Sequence, residues 1–284
     1  MTAVANIEPD APTILVLIRG GGDLGTGVAH RLHRAGFRVT VTELAEPLVI
    51  RRAVSFATAV FDGSIEVEGV RAVLVRSVAQ ALESLARGDV PVLIDPAGTC
   101  AASLRPTAIV DARMAKRNLG VGLADAPIVI GLGPGFTAGL DVHAVIETAR
   151  GHNLGRVLLT GAAEPDTHVP GPIQGIGRER VLSSPGSGTF RALATIGQRV
   201  ASGQIVAEVG GQPIRSAIDG VVRGLLHDEM TVLPGQKVGD IDPRGVVEHC
   251  HTISDKARAI GGGVLEGILY LRQHLTMPGT SAKL

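Results

Sequence analysis

The segment LIRGGGDLGTGVAHRLHRAGFRVTVTE, Leu17 to Glu43, restricts the fold of this chain more than any other. A short β-branched apolar run, Thr13 to Gly20, leads into three consecutive glycines. The stretch Leu24 to Gly36 carries Val28, Leu32 and Ala35 at helical spacing and closes on glycine. A second apolar run, Phe37 to Glu43, follows. The hydrophobic period passes from strand to helix and back within about 30 residues, which predicts an αβ unit. Gly20, Gly22 and Gly25, with Gly21 between them, satisfy G-x-G-x-x-G. Such glycines permit a tight turn, a phosphate against the backbone, and a helix close to its strand. Glu43 ends the second strand, where an acid meets a ribose in dinucleotide-binding folds. Asp23 lies inside the loop, where it opposes a pyrophosphate or else caps the helix. Arg19, just before the loop, offsets that charge or meets another anion. The pattern dictates the unit and leaves the ligand open.

The alternation continues through residue 124. VRAVLV and VPVLID read as strands around the helix VAQALESLARG, and TAIVDARMAKRN reads as a strand entering a polar loop. Predicted strands end in Glu43, Asp95 and Asp111. In an open α/β sheet these acids share one rim, outside the strands' carboxyl ends. The alternative is that each caps the helix that follows its strand. Lys116 and Asn118 belong to the charged DARMAKRN loop, which is either solvated or grips a phosphate.

From residue 125 the texture turns to short β-like pieces. DAPIVIGLGPGF is a strand leading into a glycine-rich loop, which forms an anion-binding nest or a plain turn. VASGQIVAEV at Val200 and VLPGQKVGDI at Val232 repeat V-x-x-G-Q-x-V. Between them Asp219-Gly220 marks a turn. This repeat resembles the biotinyl/lipoyl-type barrel-sandwich. The tip EVGGQPIR has no Lys, so no covalent biotin or lipoate is expected. The expected architecture is an α/β Rossmann-like domain with a parallel sheet (1–124), then a β-rich domain (125–248) with a barrel-sandwich-like repeat at 200–241. A C-terminal helix (249–284) is expected to pack back on the first domain.

Lys plus Arg and Asp plus Glu both number 27, so no field of one sign selects nucleic acid or membrane. Aromatics at 2% supply no base-stacking platform. Apolar runs are too short and too glycine-rich to span a bilayer. These features predict a cytoplasmic protein, with self-association left open.

RGGGDLGTGVAHRL, VDARMAKRNLG, DAPIVIGLGPGF, DVHAVIETARGHNLGRV, VGDIDPRG and HTISDKARAIGGGVLEGIL together resemble the YqeB-type selenium-dependent molybdenum hydroxylase accessory proteins. The resemblance runs from about Leu15 to Leu271. It implies an accessory or maturation role for a xanthine dehydrogenase-like molybdenum hydroxylase. The chain would bind molybdenum cofactor, or a selenium or sulfur donor, and deliver it to the apoenzyme. A phosphate-bearing cofactor suits the Gly20–Gly25 loop without any nicotinamide. A nicotinamide-dependent oxidoreductase and a non-catalytic docking scaffold are the alternatives. Cys100, just past a strand, either carries sulfur or selenium as a thiolate or is an inert packed thiol. Cys250 lies between His249 and His251, which share one face of an extended chain, so no metal site is assigned there. Ser254 suits an N-cap and Asp255 the positive end of the last helix. Lys256 gains nothing from that dipole and is a candidate functional residue. Gly261 to Gly263 inside the helix signal a close backbone or ligand.

Overall fold

The computed structural model describes residues 14–167 and 171–275. The first elements are β1 (Leu15–Arg19), α1 (Asp23–Arg34), β2 (Arg38–Glu43), α2 (Ala59–Asp62), β3 (Ser64–Val67) and β4 (Val70–Val75). Next come α3 (Val78–Ala86), β5 (Val90–Ile94), α4 (Ala101–Leu104), β6 (Ala108–Asp111) and β7 (Ile128–Leu132). Four short strands follow: β8 (Thr137–Ala138), β9 (Ala144–Ile146), β10 (Val157–Leu158) and β11 (Gly161–Ala162). One nine-stranded sheet runs β10-β9-β7-β6-β1-β2-β5-β4-β3, and β8 pairs with β11 apart from it.

Alternation along these strands sorts side chains to two faces. Val16 and Ile18 of β1 join Val39, Val41, Val110 and Ile130 in one core. Leu15 and Leu17 join Ile109, Val129 and Leu85 in the other. Burial on both faces explains the near-continuous apolar runs.

The expectation of a parallel sheet is corrected: the sheet is mixed. Interior neighbours are parallel, but β3 pairs antiparallel with β4 and β10 with β9. The connection between β3 and β4 is the dipeptide Glu68-Gly69, with φ of 46° and 80°. So short a turn joins only antiparallel strands. The sheet also runs on to residue 158, past position 124.

The remaining strands are β12 (Val181–Ser183), β13 (Gly188–Ala192), β14 (Arg199–Val200), β15 (Ile205–Val209), β16 (Gln212–Arg215), β17 (Gly220–Leu225), β18 (Thr231–Val232) and β19 (Lys237–Asp242). They form two separate four-stranded sheets, β12-β19-β17-β14 and β16-β15-β13-β18. The repeat supplies β14 and β15 from its first copy and β18 and β19 from its second. Each copy sends one strand to each sheet, around a core that includes Phe190, Val206, Val238 and Ile241. The expected barrel-sandwich is corrected to this pair of sheets, because strand pairing stops at their edges.

Two helices close the chain, α5 (Glu248–His251) and α6 (Asp255–His274). Ser254 caps α6 by accepting the Ala257 amide at 3.2 Å. α6 lies across α1, β7, β9 and β10. Gly27 of α1 faces Ala257, and Arg31 of α1 faces Gly261 and Arg258. Both numberings rise together, so the helices run parallel and start at the same edge of the sheet. Among the described residues no helix is long and apolar enough to cross a membrane.

A methyl group on Gly27 would meet the Ala257 Cβ at 2.7 Å and its carbonyl oxygen at 2.9 Å. Gly262, on the outer face of α6, has open space instead. Gly27→Ala should therefore lower stability by about 1–3 kcal/mol. Gly262→Ala should raise it by about 0.5–1 kcal/mol. Urea denaturation midpoints of the two variants measure this opposition.

Candidate functional site

β1 lies between β6 and β2, so the chain winds away from it in opposite directions. The crevice at such a switch point, beyond the carboxyl ends of the strands, is where open α/β sheets bind ligands. Here the protein's own backbone closes its base. A Cβ on Gly20 would lie 3.1 Å from the Ala112 carbonyl and from the Arg113 Cα. One on Gly21 would lie 2.9 Å from the Ala57 amide nitrogen, and one on Gly25 would strike the Gly20 carbonyl. Gly20, Gly21 and Gly25 thus serve internal packing, whereas a Cβ on Gly22 would meet only the Val49 side chain at 3.8 Å. Ala57 donates its amide to the Gly21 carbonyl at 2.9 Å, and the Thr26 hydroxyl donates to the same oxygen at 3.0 Å.

The strand-end acids each close their own surroundings. Glu43 accepts the Gly21 amide at 2.7 Å and the Leu44 amide at 2.8 Å, one on each oxygen. Burial pushes its pKa up against those two bonds. Both oxygens are thus engaged by the chain's own backbone. Asp95 accepts the Cys100 amide at 2.8 Å and the Thr99 hydroxyl at 3.1 Å. Asp111, almost fully buried, holds the Arg113 guanidinium through bonds of 3.0 and 3.1 Å. Asn118 ties its turn through Val121 and Gly120. Arg19, 6% exposed, donates to the carbonyls of Pro96 and Ala97 at 3.1 and 3.0 Å. It braces the turn after β5 and does not reach across the glycine loop.

Both cysteines are buried. Desolvation, reinforced by Asp95, pushes the Cys100 thiol up to about 12. Burial also raises Cys250, whose Sγ donates to the Val222 carbonyl at 3.6 Å. The thiolate that sulfur or selenium transfer requires is therefore disfavoured at both. No cluster able to hold a metal occurs among the described residues.

A different group forms where α1 and α6 begin. Gly22 is the N-cap of α1 and offers no side chain to cap the first-turn amides. Asp23 leans to Arg51 at 3.5 Å. Arg51 in turn donates to the carbonyls of His249 and Thr252 at 2.9 and 3.0 Å. Lys256 is half-buried beside them. Desolvation lowers its pKa first, and then the charge of Arg150; Asp23, Asp166 and Glu147 act in the opposite sense. Each of those acids is held elsewhere. Asp166 pairs with Lys116. Glu147, 2% exposed, accepts the amides of Thr148, Ala149 and Glu164, each at 2.7 Å. Arg150 grips Asp255 at 2.8 and 3.1 Å, which draws that carboxyl well below the usual range. Of the sequence-derived candidates, the structure gathers Asp23 and Lys256 directly and Lys116 through Asp166. It leaves Cys100 and Asp95 beneath a neighbouring turn and Cys250 in the core beside β17.

Arg51, Glu147, Arg150 and Asp166 escaped the sequence reading. Glu147 directly follows β9, so the strand-end rule that flagged Asp95 and Asp111 also finds it. Arg51 had no such signal, because its partners lie about 200 residues away in sequence.

No family model matches the chain. It is 50% identical over 257 residues to "Uncharacterized protein YqeB" of Escherichia coli (strain K12), covering 90% of this chain and 48% of that protein. The chain spans about half the length of the curated relative it matches. Among solved structures, the ectoine utilization protein EutE (DoeB) of Ruegeria pomeroyi has a TM-score of 0.24 at 16% identity. Its alignment covers 81% of this chain and 85% of that one. Succinylglutamatedesuccinylase/aspartoacylase of Rhodobacter sphaeroides has a TM-score of 0.26 at 12% identity, over 81% and 86%. These scores carry no argument about fold or activity. None of these three names is a molybdenum or selenium maturation factor or a biotinyl-type barrel. The expected place among such proteins is corrected to the coarser statement that the chain is similar to YqeB.

In the folded chain at pH 8, iodoacetamide should label neither Cys100 nor Cys250 over a period that labels both completely in urea. Peptide mass spectrometry reads the two sites separately. Rapid labelling of Cys100 in the folded state would show that its thiol ionises far below its expected range.

Proposed function

We propose that this chain is a binding and carrier protein for a small phosphate-bearing molecule of the pterin or nucleotide class. The observation that supports this most is Lys256. Its ammonium is partly desolvated, and it makes no ion pair or hydrogen bond among the described residues, although three carboxylates lie within electrostatic reach. Those carboxylates are engaged by Arg51, by Lys116 and by backbone amides. A desolvated cation without a counterion is costly, and an anion from outside offsets that cost. The first-turn amides of α1, which have no side-chain cap, add donors on the same side. These groups hold and orient an anion, which suits a carrier. The recipient that the sequence resemblance implies is a molybdenum hydroxylase apoenzyme.

Lys256 must be protonated to hold the anion, and burial lowers its pKa. Affinity should therefore fall as pH rises, starting at lower pH than for an exposed lysine. Calorimetric titration of the full chain with a nucleoside monophosphate from pH 7 to pH 10 tests this. Lys256→Met should weaken binding at least tenfold at pH 7 and flatten the profile, while Lys256→Arg retains binding. Equal affinity in wild type and Lys256→Met, or no binding by wild type at millimolar ligand, overturns the reading.

A further inference from the structure

A cleft of about 620 Å³ lies between the two halves of the molecule, apart from the Lys256 group. Its volume is in the range of small-molecule sites, which concentrate at junctions of this kind. One wall carries Arg52, Asp62 and Ile65; the other carries Leu193, Ile196 and Asp228. Arg52 is anchored through its Nε, which donates to the Leu225 carbonyl at 2.9 Å. That bond fixes the guanidinium and leaves its two terminal nitrogens without a carboxylate partner among the described residues. Asp62 likewise makes no hydrogen bond or ion pair there. Asp228 uses one oxygen to accept the Ala192 amide at 2.6 Å, and the other has no partner among the described residues. Phe61 and His227 stack across the junction, with centroids 4.1 Å apart and planes at 14°. Each ring directly precedes one of the two aspartates, so the stack holds both carboxylates at the same seam.

An arginine and two aspartates share this cleft without neutralising one another. Ile65, Leu193 and Ile196 give it an aliphatic lining, and Leu193 is 48% exposed although it is a leucine. We infer that the cleft binds a zwitterion with an aliphatic body, of dipeptide size. Its carboxylate meets Arg52, its ammonium meets Asp62 and Asp228, and its side chains cover Ile65, Leu193 and Ile196. The excess of one carboxylate over the guanidinium makes the ammonium the stronger requirement. This site is independent of the anion reading at Lys256, and a ligand in it would join the two halves.

Titration calorimetry of the full chain with Leu-Leu tests the inference. N-acetyl-Leu-Leu lacks the ammonium and Leu-Leu-amide lacks the carboxylate. Binding of Leu-Leu is expected, at least tenfold weaker for the acetylated peptide and weaker for the amide. Asp62→Asn alters an exposed, unpartnered carboxylate, so the chain should keep its fold while its Leu-Leu affinity falls at least tenfold. Arg52→Gln should abolish the preference for Leu-Leu over Leu-Leu-amide, with circular dichroism confirming its fold. No binding of Leu-Leu at millimolar concentration, equal affinity for all three peptides, or unchanged affinity in Asp62→Asn overturns the inference.

Discussion

The architecture depends on how closely α6 approaches α1. Gly27 and Gly261 let the two backbones meet with no side chain between them; a Cβ on Gly261 would lie 2.8 Å from the Gly27 carbonyl oxygen. That approach buries Ala257, Ile260 and Val264 in one core with Val28 of α1 and the sheet residues Val110 and Ile130. It also fixes direction. Because the helices run parallel, their positive ends lie side by side. Asp23 and Asp255 sit in the two first turns, where negative charge offsets the dipoles. Lys256 follows Asp255 at that end of α6, and burial is the main cause that lowers its pKa.

A second constraint is the segment between β2 and α2. Ala57 bonds the glycine loop, Phe56 donates its amide to the Thr26 hydroxyl at 2.8 Å, and Arg52 bonds Leu225 of β17. Gly224 permits this, since a Cβ there would lie 2.5 Å from the Ile50 carbonyl oxygen. Arg51 extends the link from Asp23 to the backbone around α5. One stretch of chain therefore covers the glycine loop on one side and forms a wall of the 620 Å³ cleft on the other. The two candidate sites share this wall without sharing a residue.

Much of the local structure was legible in the sequence. The unit from Leu15 to Glu43 follows from its periods and its glycines, and Ser254 is recognisable as a cap from its place before an apolar-periodic stretch. The duplicated V-x-x-G-Q-x-V pattern marks four strands. Its partition into two separate sheets was not legible, because pairing partners depend on contacts distant in sequence. The candidate site was legible only in part. Lys256 stood out because a cation gains nothing at a helix N-terminus, whereas Cys100 stood out for its chemistry, and burial next to Asp95 disfavours the thiolate that chemistry needs.

What the sequence by itself determined is the β1-α1-β2 unit, α3 with its flanking strands, the duplicated β pieces and the start of α6, because side-chain period, capping and glycine conformation act within a few residues. It also determined that something approaches α6 closely at Gly261 to Gly263. Only the tertiary structure decided that the neighbour is α1 at Gly261 and the Gly155 carbonyl at Gly263, that Gly20, Gly21 and Gly25 meet protein backbone, and that Glu43 bonds the Gly21 amide. The reason is physical: a carboxylate, an amide or a thiol acquires its role from the partners and the dielectric around it. For these residues the folded chain supplies those partners from tens to hundreds of positions away.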